Sequence, residues 1–173
     1  METQTAPQKA EFEPQAWTWI TKNQDYAFAH WNQIFATIWF HETTLDGIRH
    51  LYKSVSEFAK SNPKGIALLT LVAAGAGLPS SSARRALSDL LAAGTDYVRC
   101  SAVIMEGSGF RAAAVRSVVT GITMLSKHPY PHEICDAERA AQMFGDRLLR
   151  ATGKAPNTRT LRGAIESLRQ SIC

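Results

Sequence analysis

This chain is poor in the features that mark most membrane proteins and enzymes. Its longest apolar run, Gly65–Leu78, has 14 residues and holds three glycines, short of the ~18 that span a bilayer, so no transmembrane segment is expected. Cysteine is scarce: Cys100, Cys135 and Cys173 are an odd number at wide spacing. That excludes a disulfide framework and a paired-cysteine zinc site. Cys100 and Cys135 fall in or beside strand-like runs and read as small buried hydrophobes. No Gly-x-Ser-x-Gly, His-Glu-x-x-His or Gly-Lys-Ser/Thr occurs, which removes the nucleophile elbow, the helical zinc pair and the phosphate loop. Of the five histidines, His128 and His132 stand four apart across two prolines, so they are no helical ligand pair. No catalytic residue, metal or cofactor is expected. The N-terminus lacks the basic start and apolar stretch of a secretory signal, and the expected location is cytoplasmic.

What remains is an ordinary globular composition, 45% apolar and 20% charged over 173 residues, enough for one domain with tails. The net charge of +4 is unevenly spread. Residues 1–58 carry four Lys/Arg against seven Asp/Glu, and residues 139–173 carry seven against two. The basic end has no aromatic after Phe144, so bases would find nothing to stack on; a solvated helix face is expected, not nucleic acid.

Along the chain, residues 1–15 are polar with two prolines and read as a disordered tail. Trp17–Lys22 reads as a short extra strand. Tyr26–Trp31 and Ile34–Phe40 flank Asn32-Gln33 and read as a hairpin. All four tryptophans and a further set of rings fall before residue 41, on both parities of the hairpin. Simple core packing of these rings is expected first, with one face as a candidate surface for a partner or a second subunit. Thr43 and Thr44, one of them the N-cap, precede a helix with Leu45, Ile48, Leu51, Val55 and Phe58 on one face, which stops before Asn62-Pro63. Ile66–Ala73 is continuously apolar, the mark of a central strand.

Ser80–Ser82 opens a second helix, with Ala83, Ala86, Leu87, Leu90 and Leu91 inward and Gly94 at its end. Cys100–Met105 is a buried strand. Glu106–Gly109 leads into a third helix with Ala114, Val115, Val118, Val119, Ile122 and Leu125 inward. A strand over Glu133–Cys135 and an Asp136-capped helix ending near Gly153 complete a domain over 16–153. Residues 154–173 are a linker and a fifth helix striped by Leu161, Ile165, Leu168 and Ile172, to be buried in this domain or against another subunit.

This order, with the segments TTLDGI, GLPSSSARRAL, AVIMEGSGFRAAAVRSVV and CDAERAAQMF, resembles the STAS family over roughly residues 26–150, and most closely its divergent SpoIIAA-like bacterial branch. The resemblance implies an α/β fold: a β-hairpin followed by βαβαβα units, a mixed sheet of four or five strands, helices mainly on one face, and here an extra C-terminal helix. It also implies a non-enzymatic regulatory module of the anti-sigma-factor-antagonist kind, docking to a protein partner such as a kinase-like regulator. The family pairs through this part of the sheet, which makes a homodimer through the aromatic hairpin a further expectation. The family's phosphoacceptor hydroxyl opens the helix after a buried strand; by position that place is Ser80, Ser81 and Ser82. Here no aspartate precedes the serines, and Ala83-Arg84 stands where glycine belongs.

Physical chemistry supports the place independently. A helix N-terminus favours phosphate, and Arg84 and Arg85 lie within a turn of it. The plainer reading is one capping serine and two solvated ones. A second corner, Gly107, Ser108 and Gly109 followed by Arg111, also precedes a helix. If it lies beside the first, the two form an anionic-ligand corner at the sheet edge where α/β proteins bind ligands. That supplies the alternative function, a lipid- or nucleotide-binding or sensing domain.

Overall fold

A computed structural model describes residues 17–172; the tail expected over 1–15 and the terminal Cys173 lie outside them. Six strands form one sheet in chain order: β1 (Thr18–Lys22), β2 (Tyr26–Trp31), β3 (Ile34–Trp39), β4 (Ile66–Val72), β5 (Val98–Met105) and β6 (His132–Ile134). β1, β2 and β3 pair antiparallel, and β3 through β6 pair parallel. The α/β class and the hairpin followed by strand–helix units are as expected. The sheet exceeds four or five strands because Trp17–Lys22 does contribute a strand, with a register shift between Trp19 and Thr21.

Each parallel step is bridged by a helix: α1 (Leu45–Lys60), α2 (Ser81–Ala93) and α3 (Gly109–Leu125). Right-handed crossovers between strands added always on the same side leave their helices on one face. α4 (Ala137–Thr152) follows the last strand and returns across the opposite face, where α5 (Thr158–Gln170) packs beside it. This corrects the expectation of helices mainly on one face: three cover one side and two the other. The fifth helix is not left over for a second subunit, since Leu161, Ala164, Ile165 and Leu168 are buried in the core of this chain. Trp17 Nε1 donates to the Ala164 carbonyl (2.8 Å), and Arg169 Nη2 donates to Glu106 Oε2 (2.9 Å) at the end of β5.

Local chemistry explains the element ends. Thr44, Ser80, Asp136 and Asn157 each accept a backbone N–H with the side chain and so cap α1, α2, α4 and α5. The hairpin turn works without glycine because Asn32 takes the left-handed conformation (φ 51°), which asparagine tolerates better than most residues.

The parity of the strands sorts the core. Ala27, Ala29, Trp31, Ile34, Ala36 and Ile38 face α4 and α5, whereas Phe28, Phe35 and Trp39 face α1. Both faces of the aromatic hairpin are therefore covered within this chain, as simple core packing of its rings expects. Only Trp19, on edge strand β1, leaves its ring well exposed (41%), with Lys22 Nζ 5.4 Å from its centre. Among the described residues no helix is long and apolar enough to cross a membrane.

Candidate functional site

The two corners singled out in the sequence do lie side by side. β4 and β5 are adjacent and parallel, with Val72 opposite Met105, so the loops after them leave the same edge. Arg111 Nη2 donates to the Gly75 carbonyl (3.1 Å). A Cβ added at Gly107 (φ 86°) would lie 3.0 Å from Ala74 Cβ, so glycine is needed there both for its conformation and for this close approach.

These residues do not gather into one anion pocket. Ser80 is spent on capping: its Oγ accepts from Ala83 N (3.2 Å) and lies 3.0 Å from Ser82 Oγ. Ser81 accepts from Arg84 Nη2 (3.2 Å). All three serines are exposed, as are Arg84 and Arg85. Ser81, Arg84 and Arg85 border a groove against the Ser117–Leu125 part of α3, whereas Gly107, Ser108 and Gly109 border another along the outer side of that helix. Arg111 turns instead toward Ala74 and Glu106. Ser108 begins α3 without a side-chain cap.

A partly enclosed space lies elsewhere, between the sheet and α1, α2 and α3. Its floor is made by Thr37 and Trp39 of β3, Leu68, Thr70 and Val72 of β4, Ser101 and Val103 of β5, and His132 of β6. Its roof is Leu51 and Val55 of α1, Leu87, Leu90 and Leu91 of α2, and Val115, Val119 and Ile122 of α3. Thr43, Gly77 and Pro79, from the loops after β3 and β4, line one end. The cavity measures about 90 Å³, several times the ~10–15 Å³ that admits one water. At ~24 cal/mol per Å³, leaving that volume unfilled forgoes about 2 kcal/mol of packing. That is a large fraction of the margin by which a domain folds.

The lining is apolar with a few placed polar groups, and no Asp, Glu, Lys or Arg contributes. Thr37 pairs with Thr70 across β3 and β4, and Ser101 pairs with His132 across β5 and β6. Ser101 is 1% exposed. His132 Nδ1 is buried without a hydrogen-bond partner. Burial, and the neighbouring His128 with its ring centre 5.5 Å away, lower the His132 pKa to about 4, so the ring is neutral at physiological pH. His128 Nδ1 lies 2.9 Å from the Tyr130 carbonyl, so it carries the proton there, and its own Nε2 is buried without a partner. Tyr130 donates its hydroxyl to the Leu91 carbonyl (2.6 Å), tying this corner to the end of α2.

The other titratable groups have structural surroundings. Burial pushes the Cys100 thiol up to about 12 and Cys135 up to about 11, which makes both poor nucleophiles. His41 Nδ1 meets the Gln24 carbonyl at 2.6 Å and His50 Nδ1 meets Tyr26 Oη at 3.1 Å. Among the described residues no three His, Cys, Asp or Glu side chains cluster so as to hold a metal ion.

The sequence reading missed the chamber. Its polar floor comes from strand positions that looked like interruptions of apolar runs, Thr70 in IALLTLVA and Ser101 in CSAVIM. A hydroxyl within a continuously apolar strand was the available signal. One helix was also misread. Leu125, expected to face inward, is 81% exposed, and Phe110 (91%) and Met124 (83%) join it at the surface of α3. No family model matches the sequence, and neither a curated protein nor a solved structure matches it.

Proposed function

We propose that this protein acts by binding rather than by catalysis, as a small-ligand binding or sensing domain whose site is the chamber beneath α1, α2 and α3. One observation carries the reading: a largely apolar cavity of about 90 Å³ with Thr37, Thr70, Ser101 and His132 on its floor and two further hydroxyls, Thr43 and Thr123, elsewhere in its lining. Ligand sites are typically apolar enclosures with a few converging polar groups, and random packing defects rarely reach this size. Native mass spectrometry of gently purified protein is the test. The expected spectrum holds a non-covalent adduct that collisional activation strips. Bare chain alone, with no thermal stabilisation by any small apolar compound, would end this reading.

The second reading is a cytoplasmic regulatory module of the STAS type, docking to a kinase-like or other regulatory protein. What favours it is the outer surface of α2 and α3, where Arg84 and Arg85 stand beside exposed Leu125. Asp substitutions at Ser81 and Ser82 are expected to change what is retained in a pull-down. An unchanged set of retained proteins counts against a phosphate-controlled switch at these serines.

A further inference from the structure

Resting on the reading of the chamber as a binding site, we infer that its ligand is uncharged and mostly apolar, carries one hydrogen-bonding group that meets Ser101 and His132, and enters by displacing α3. The charge follows from the lining. With no Asp, Glu, Lys or Arg present, an ion would lose its hydration and gain no counter-charge. The neutral His132 ring supplies no cation either.

The polar contact follows from an unmet need. His132 Nδ1 is buried without a partner, and buried polar atoms are seldom left so. Ser101 lies directly across the strand pair and is itself shut off from solvent. A hydroxyl or amide both donates and accepts, and so suits this pair whichever tautomer the ring adopts.

Size brings in α3. A cavity of about 90 Å³ is smaller than the ~150 Å³ apolar cavity that admits benzene, so a larger guest must move a wall. α3 is the wall least held. Only Val115 and Ile122 of its 17 residues are buried, and its N-terminus has no side-chain cap. Gly107 (φ 86°) precedes it and Gly109 (φ 87°) opens it, both in the left-handed region, and its neighbour is α2 more than the sheet.

The test uses the neutral fluorescent probe N-phenyl-1-naphthylamine, displaced by 1-octanol or by octanoate at pH 7.5. 1-Octanol is expected to compete at least tenfold better than octanoate. Ser101→Ala should weaken 1-octanol about fivefold more than it weakens the probe. Val119→Phe should reduce probe binding at least tenfold, whereas Phe110→Ser, at the exposed end of α3, should not. Saturating 1-octanol should slow amide exchange across residues 109–125 and leave 137–152 as it was. Absence of probe binding would overturn the chamber as a site. Probe binding with octanoate equal to 1-octanol would overturn the ligand class alone, as would an unaltered 1-octanol affinity in Ser101→Ala. Probe binding lost in Phe110→Ser but kept in Val119→Phe would put the probe on the surface of α3 and overturn the site. Unchanged exchange in α3 would overturn the entry route.

Discussion

On the α4 and α5 side of the sheet, small and large residues from both the strands and the helices fit together. Ala27, Ala29, Ala36, Ala67 and Ala102 let the helices approach, and Phe144, Leu148, Leu161 and Ile165 fill the space to near-zero exposure. Beneath α2 and α3 the complementarity fails. Thr70, Ser101 and Val103 on the strands face Val115, Val119 and Ile122 on α3, so medium residues meet medium residues and a chamber remains. Among the described α-helices a side-chain N-cap is present on α1, α2, α4 and α5 and missing from α3, which roofs the chamber. One layer is built to hold the fold, and the other keeps free volume under its least secured helix. That is the arrangement expected where function needs local opening at low free energy.

The contrast breaks most plainly in the core. Phe144→Ala is expected to lower unfolding free energy by about 3–5 kcal/mol, read from urea denaturation. Ile122→Ala, in the more loosely packed layer, should lose only about 2 kcal/mol, the low end for such a truncation. Equal losses would erase the difference between the layers. Hydrogen exchange sharpens it next: amides of α3 should exchange roughly 100-fold faster than those of α4, as sub-global opening allows. Similar protection in the two helices would refute a weakly held α3.

Acidification probes the chamber's corner. The folded pKa of His132, about 4, lies below the ordinary 6.5. The unfolded chain therefore binds its proton first, and the contribution of His132, complete above pH 6.5, is lost as pH falls toward 4. The slope is at most about 1.4 kcal/mol per pH unit. The stability difference between the parent and His132→Gln should change over that interval and be flat above it; no change would place the ring in solvent. The smallest effect concerns the serines. Ser80→Ala should cost about 1 kcal/mol as a lost cap, and Ser82→Ala less than about 0.5 kcal/mol, compared by thermal denaturation. Equal losses would remove the capping assignment.

Much of the frame was legible because local rules govern it. Thr44, Ser80 and Asp136 mark helix starts by side-chain chemistry that needs no tertiary context. The apolar run Ile66–Val72 reads as a central strand because both of its faces are covered. α3 was the exception. Its apolar residues lie on several sides, so the pattern admits more than one inner face, and Leu125 lies on an outer one. The candidate site was legible only in part. The meeting of the Gly75 and Gly107 corners follows from adjacent parallel strands, but the serines and Arg111 turn to different grooves. The chamber was hidden because a void belongs to no segment.

Periodicity, caps and turn residues act over a few positions, and so strand and helix identities, their order and the α/β class could be had from the chain alone. Which face each helix covers, where α5 docks and where packing stops short depend on side chains far apart in the chain. Thr37 and His132 come to line one space only after the three parallel pairings from β3 to β6 have formed. Free volume is a difference between the shapes of two assembled surfaces, and it exists only once both are in place.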